Sequence, residues 1–376
     1  MEFSSSEEYK LLADALSRFT AKEYGFERRR EFMKRPDGFG REIWHALADL
    51  GTLGLPFSEE HGGSGGGTVE LSIVMQALGA ALALEPYLAT VVLAGGLVDE
   101  CGSEPQKRML LPKIAQGELL LAFAHDEPGG RYERSRVTAR ARRAGATWKV
   151  TGRKSLVLHG AQAGTLVVSA RVSGEEASPE GVRLFLVDRK AEGVAVRDYR
   201  TIDGLRAAEI VLDGANAELL GADADAGDAI DRVMDVGTAC LCAEAVGAMQ
   251  ALNAQTLEYI RSRQQFGQPI GRFQANQHKA VDMMIHCEQS KSIAWLAAMR
   301  CDSGDARERR RAVSAAKAHV GKSGRFLAET AIQLHGGMGM TDELPASHYA
   351  KRLVMVDFQL GDGAWHVERF IESAVG

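Results

Sequence analysis

The apolar residues of this chain change period twice, and that pattern restricts its possible folds more than any single motif does. Up to about residue 118 they recur at helical spacing. Phe3, Leu11, Leu12, Ala15, Leu16 and Phe19 trace one face, and Ile43 to Leu50 repeats it. From about Leu119 to Gly221, short β-branched or alternating runs replace them: Trp148-Lys-Val, Leu166-Val-Val-Ser, Val182-Arg-Leu-Phe-Leu-Val and Glu209-Ile-Val-Leu. Gly, Asp, Ser and Pro clusters separate these runs at hairpin-like intervals, which is the signature of strands. Beyond Ala222 helical spacing returns, with Ile230, Val233, Met234, Gly237, Leu241, Ala245, Ala248 and Leu252 on one stripe. Two more amphipathic segments follow, about Gln274 to Asp302 and Ala306 to His335, and a tail helix centres on His348 to Val356. The expected class is α+β: an N-terminal α-helical domain over residues 1–118, a middle antiparallel β domain over 119–222 and a C-terminal α-helical bundle over 223–376. A chain of 376 residues is long for one core, which agrees with several domains.

Composition narrows the partners. A net charge of −5 lacks the basic footprint that nucleic-acid phosphates require. The apolar run Leu82 to Val98 is interrupted by Glu85 and Pro86, so no membrane span is expected. The N-terminus has no signal-like apolar core. The five cysteines, Cys101, Cys240, Cys242, Cys287 and Cys301, show no CxxC spacing and read as free thiols of a reducing, cytoplasmic setting.

Chemistry-bearing patterns compete here with plain structural ones. Gly62-Gly-Ser64-Gly-Gly66 matches a serine-hydrolase elbow, but the helical segment before it is not the buried strand an elbow needs. Gly321-Lys-Ser323 falls within a helical segment without a phosphate-cradling loop, and no G-x-G-x-x-G follows a strand. Asp223, Asp225 and Asp228 lack the spacing of a calcium loop, and no metal is expected. The richest stretch is Val236 to Met284, a long helix, a break and a second helix opened by Gln274 and Gln277. Glu244 is a lone charge in its apolar run, and Arg261, Arg263, Gln265 and Phe266 crowd the break. Gly267 is expected to cap the first helix and Pro269 to forbid its continuation. A guanidinium beside a rigid turn suits bidentate contact with phosphate, although cations at a helix C-terminus also simply complement its dipole. Gln333-Leu-His-Gly-Gly-Met-Gly-Met340 is a second candidate, because Gly336 and Gly337 permit close approach of a ligand.

RSRQQFGQPIGRFQANQ, QLHGGMGMTDE, the early LGLPFSEEHGGSGG and the central TIDGLRAAEIVLDG, in this helix–β–helix order, resemble the acyl-CoA dehydrogenase family over essentially the whole chain. LEPYLATVVLAGGL, LAFAHDE and KSLVLHG are most similar to the small subunits of pimeloyl-CoA dehydrogenases within it. The resemblance implies FAD-dependent oxidation of an acyl-CoA substrate to the trans-2-enoyl-CoA, with electron-transfer flavoprotein as acceptor and a homo- or hetero-tetrameric assembly of homologous chains. It implies that Arg263, Phe266 and Gln274, with Gln333, Gly336 and Gly337, meet the pyrophosphate and adenosine side of FAD across a subunit interface. Glu127 and Leu158 lie in the segments that correspond to the flavin-ring side. There the chain departs from the family, with Asp126-Glu127-Pro128 for the usual T-E-P and Leu156-Val157-Leu158-His159 for the usual W-I-T/S-N.

The C-terminal Glu that most members use as base is absent from Val354–Gly363. Glu244, which some members' placement of the base on the long helix brings into play, is the expected catalytic base, with Asp357 and Asp362 as alternatives. On an apolar stripe such a carboxylate would be desolvated, as a general base requires within limits. The competing expectation is a helix-packing Glu paired with a basic residue of a neighbouring helix. It goes with a non-catalytic partner subunit that completes the FAD site of a homologous chain.

Overall fold

The computed structural model describes residues 7–145 and 147–375; Phe3, assigned above to the first helical face, lies outside them. Six α-helices precede the strands: α1 (Glu7–Glu23), α2 (Phe26–Phe32), α3 (Arg41–Asp49), α4 (Thr68–Ala80), α5 (Gly96–Cys101) and α6 (Glu104–Ala115). The first is less buried than its spacing suggests: Leu16 is covered but Leu11 faces solvent. A π-helical stretch, Leu88–Gly95, runs into α5 and is buried along its whole length. The glycine-rich segment is a loop that leads into α4 at Thr68, as its sequence indicates. Thr68 donates its N–H and its hydroxyl to the Asp302 carboxylate, so a side chain from the far end of the chain caps this helix.

Seven strands follow: β1 (Leu121–Ala124), β2 (Arg140–Ala144), β3 (Thr147–Leu158), β4 (Thr165–Arg171), β5 (Val182–Asp188), β6 (Val194–Arg200) and β7 (Arg206–Leu219). They pair in the order β1-β4-β2-β3-β7-β5, with β6 on β7; β5 also pairs with β4, so the path closes on itself. The expected antiparallel arrangement holds for most pairs but not all. β1 runs parallel to β4, and a single parallel bridge joins β2 to β4. A parallel neighbour needs a long return path, and the forty residues 125–164 lie between β1 and β4.

The remainder is helical: α7 (Gly227–Ser262), a two-residue hairpin of β8 (Gln264–Gln265) and β9 (Gln268–Pro269), then α8 (Gln274–Cys301), α9 (Ala306–His335), α10 (Pro345–Phe358) and α11 (Gly363–Val375). The sequence pattern did not set the last apart as a separate helix. Leu360 and Gly361, both at positive φ, break the chain between α10 and α11. Within the basic run Arg307–Arg311 of α9, Arg309 is buried.

Packing groups these elements into two compact units. One, which we call the helical unit, comprises the chain up to Glu31, Thr68–Ala83 and everything from Thr238 on. The other, the β unit, comprises Phe32–Gly67 and Leu84–Gly237 and contains all seven strands of the large sheet. In the helical unit α4 crosses α7 at two glycines. A Cβ on Gly79 would come within 2.0 Å of the Glu244 carbonyl oxygen, and one on Gly247 within 1.9 Å of the Gln76 carbonyl oxygen. Only glycine permits that backbone approach, and it fixes the rotation of α7 that sets the direction of Glu244. Among the described residues, no helix is long and apolar enough to cross a membrane.

Candidate active site and cofactor clamp

The break after α7 is tighter than a capped helix end. Gly267 is not the cap; helix α7 stops at Ser262, and Phe266 and Gly267 form the two-residue turn between β8 and β9, with φ of 55° and 80°. Positive φ at both central positions is what a two-residue hairpin matching strand twist requires, and Gly267 accepts it at no steric cost. Phe266 does not; the residue is 91% exposed, and its ring lies edge-on to Phe273 with centroids 6.1 Å apart. A bulky residue held in a costly conformation and offered to solvent marks a surface shaped for contact.

Gln277 donates its side-chain amide to the Gly271 carbonyl and Asn276 to that of Ile270, tying the hairpin to the start of α8. Tyr259 stacks on His335 with ring centroids 4.3 Å apart and donates its hydroxyl to the His335 carbonyl. This contact brings the hairpin beside the end of α9, where Gly336 has φ of 62° and terminates the helix. Arg263, Phe266, Gln274, Gln333, Gly336 and Gly337 therefore all lie exposed at one end of the helical unit. No acidic side chain among the described residues pairs with Arg263, nor with Arg261 or Arg272 nearby, and nothing lies within 4 Å of a Cβ built on Gly336 or Gly337. A local excess of unpaired guanidinium groups beside open backbone suits a diphosphate.

Glu244 is buried as expected, but it is not alone. Arg352 of α10 donates Nε to one carboxylate oxygen at 2.6 Å and Nη2 to the other at 2.8 Å, and the two side chains are 10% and 5% exposed, glutamate first. Both oxygens are engaged by one bidentate partner on a neighbouring helix, the pairing expected of a helix-packing Glu. Arg352 also donates to the Gln359 side chain at 2.8 Å, in the segment joining α10 to α11. The same segment is held by Lys317 of α9, whose buried ammonium donates to the Asp357 carbonyl at 3.0 Å and to the Gly361 carbonyl. Desolvation pushes Lys317 down to about 8, against the opposing pull of Cys242, Asp357 and Asp362. Asp362 is half-buried; one oxygen accepts the Trp365 N–H at 2.9 Å and the other has no partner among the described residues.

In the β unit, Glu127 turns inward. Its carboxylate takes Lys154 Nζ at 2.7 Å, the Thr138 N–H at 2.6 Å, the Thr138 hydroxyl, and the Ala139 N–H at 3.0 Å. The carboxylate is thus used up inside the sheet, which leaves Glu127 its backbone for a cofactor contact. Lys154 and neighbouring partners hold the Glu127 carboxyl below its usual range, against its own desolvation. Lys154 is fully buried and also donates to the His125 carbonyl at 3.1 Å and to Ser169 Oγ at 3.0 Å. His125, buried beside that ammonium, is pushed down to about 3 by desolvation first and by Lys154 and Arg134 next. Leu158 is half-buried and the preceding Leu156, at φ of 52°, is exposed. The N–H groups of Asp126 and Glu127 have no acceptor among the described residues, so this edge offers two adjacent donors next to an exposed apolar side chain. That combination fits the acceptor edge of a flat heteroaromatic ring such as a flavin.

Sequence reasoning missed Arg352, Lys317, Lys154 and Tyr259. Lys154 had a signal: it shares the inward parity of Val150 on β3, where an unpaired charge cannot stay. Ser64 lies exposed in a loop, and Gly321–Ser323 lies inside α9, so neither forms the corresponding motif site.

Three family models match in chain order: the acyl-CoA dehydrogenase N-terminal domain over residues 6–118, the middle domain over 122–215 and the C-terminal domain over 227–371. The chain is 30% identical over 349 residues to acyl-CoA dehydrogenase FadE12 of Mycobacterium tuberculosis H37Rv, covering 91% of this chain and 89% of that protein. It is 26% identical over 379 residues to the probable acyl-CoA dehydrogenase YngJ of Bacillus subtilis, covering 99% and 98%. Among solved structures, the ChsE4–ChsE5 complex from Mycobacterium tuberculosis superposes with a TM-score of 0.89 at 27% identity, covering 100% of this chain and 99% of the matched one.

Proposed function

The chain belongs to the acyl-CoA dehydrogenase family of FAD-dependent oxidoreductases acting on CH–CH bonds, and from that premise we propose that it works as a subunit of an oligomeric dehydrogenase. In this proposal its α7–α8 hairpin lends Arg263, Phe266 and Gln274, with Gln333, Gly336 and Gly337, to the pyrophosphate and adenosine half of an FAD carried by a neighbouring chain. The observation that carries the reading is the exposed clamp: six residues from two segments, fastened together by the Tyr259–His335 contact, with an unpaired arginine among them. A neighbouring chain is further supported by the apolar stripe of Val281, Met284 and Ile285 on α8, each about half exposed. The similar ChsE4–ChsE5 structure is a complex of two differently named chains, which supports an unlike partner as one form of the assembly.

Within the acyl-CoA class, LEPYLATVVLAGGL, LAFAHDE and KSLVLHG support a dicarboxylyl substrate such as pimeloyl-CoA, with electron-transfer flavoprotein as acceptor. A bound FAD would supply the acceptor for the hydride that leaves Cβ. The chain's own contribution is to hold the cofactor and to take the Cα proton. We assign the proton to Asp362, whose second oxygen is free, and give Glu244 the packing role its pairing with Arg352 supports. Enoyl-CoA formation by the purified assembly decides between the carboxylates. Asp362→Asn is expected to lower kcat at least about a hundredfold with FAD retained, as removal of a general base does, whereas Glu244→Gln retains turnover. Loss with Glu244→Gln and retention with Asp362→Asn would reverse the assignment. Indifference to both favours a non-catalytic subunit that completes its partner's site.

A further inference from the structure

We propose that Lys154 is a positioning residue that turns the peptide N–H of Asp126 outward, beside the N–H of Glu127 whose peptide the Ser155 backbone holds, so that the two form a paired donor for the acceptor edge of the flavin ring. This rests on the flavin-binding reading above and adds a device to it. Lys154 is fully buried, and its three donor directions go to the Glu127 carboxylate at 2.7 Å, the Ser169 hydroxyl at 3.0 Å and the His125 carbonyl at 3.1 Å. The next residue along β3, Ser155, donates its N–H to the Asp126 carbonyl at 2.8 Å.

In a planar trans peptide the C=O and the following N–H point in opposite directions. The bond from the buried Lys154 ammonium to the His125 carbonyl therefore sends the Asp126 N–H outward, and the bond from the Ser155 N–H to the Asp126 carbonyl sends the Glu127 N–H away from β3. Neither N–H has an acceptor among the described residues, and such unmade backbone bonds are rare away from ligand sites. The Glu127 carboxylate completes the arrangement: desolvation pulls Lys154 below its usual range, and the ion pair with Glu127 opposes that pull. The segment 125–127 is thus held by the strand that carries Leu156 and Leu158. Ring-edge donors and ring-flanking side chains form one rigid piece even though the usual Trp and hydroxyl are missing.

The test uses the oligomer as isolated, comparing wild type, Lys154→Met, the doubly apolar Lys154→Met/Glu127→Leu and the exposed-site control Lys149→Met. The double variant leaves no unpaired buried charge, which is the form in which such pairs are best tolerated. FAD per protomer, FAD affinity on re-addition, the visible flavin spectrum and thermal melting are read on each. The expected result is a folded double variant with FAD affinity at least tenfold weaker and a displaced flavin band, while Lys149→Met matches wild type. A folded double variant with wild-type FAD affinity and spectrum overturns the proposal. So does failure of both Lys154 variants to fold, because Lys154 would then be a folding residue alone. A wild-type assembly without flavin would strike the underlying reading itself; a flavin-replete wild type beside an unchanged double variant strikes only Lys154.

Discussion

Replacing Arg352 by Met isolates the pairing on which the packing role proposed for Glu244 rests. Arg352 is the only donor to either Glu244 oxygen among the described residues, and both groups are nearly fully covered. Removing it leaves a buried carboxylate without compensation, a change that costs about 3–5 kcal/mol. Loss of the Arg352–Gln359 bond adds roughly 1 kcal/mol. Against a typical stability of about 5–15 kcal/mol, the sum of about 4–6 kcal/mol is roughly a quarter of the total or more. The double variant Glu244→Leu/Arg352→Met removes both charges and is expected to lie within about 2 kcal/mol of wild type. Urea unfolding followed by helical circular dichroism measures both, and the double-mutant cycle gives the coupling directly. A loss below about 1 kcal/mol for Arg352→Met, or a double variant no more stable than the single one, would show that Glu244 does not depend on Arg352. The assignment of Glu244 to packing would then have to be withdrawn.

Arg263→Ala removes the unpaired guanidinium of the clamp and is expected to weaken FAD binding by about ten- to a hundredfold, the worth of one charge-assisted bond to phosphate; equilibrium dialysis of FAD reads it, and an unchanged affinity places the pyrophosphate elsewhere. His125 gives a pH prediction with a definite sign. Its folded value, about 3, lies below the unfolded value near 6.5, so below pH 6.5 the unfolded chain takes up a proton that the folded chain refuses. Stability is therefore unaffected above about pH 7 and falls as the pH drops from 6.5 toward 3, at roughly 1.4 kcal/mol per pH unit. His125→Asn should flatten that part of the profile, and a wild-type-minus-variant difference that does not change with pH would contradict it.

The helix–β–helix order was readable because each part of the chain keeps its period for dozens of residues. The parallel pairing of β1 with β4 was not, since no local pattern tells a strand which neighbour it will meet at long range. The Phe266–Gly267 turn was misread for a related reason. Gly267 next to Pro269 signals a helix stop equally well as a hairpin, and only the chain's return between β8 and β9 distinguishes them. At the candidate site, Arg263 and the Gly336–Gly337 pair stood out by residue type, but Tyr259 and His335, which bring them together, look like ordinary helix residues. Glu244 shows the limit most clearly. Its isolation along the sequence suggested a desolvated base, whereas the partner that settles its environment lies 108 residues away on another helix.

Whether this chain is part of a flavoprotein that oxidises acyl-CoA thioesters is tested most directly on the native assembly, purified through a tag on this chain. FAD is counted per assembly, and acyl-CoAs, pimeloyl-CoA among them, are then added without oxygen. The expected result is bound FAD whose visible absorbance is bleached by at least one acyl-CoA, with trans-2-enoyl-CoA formed in equal amount to the flavin reduced. An assembly that holds no FAD, or whose FAD no acyl-CoA reduces, would contradict it.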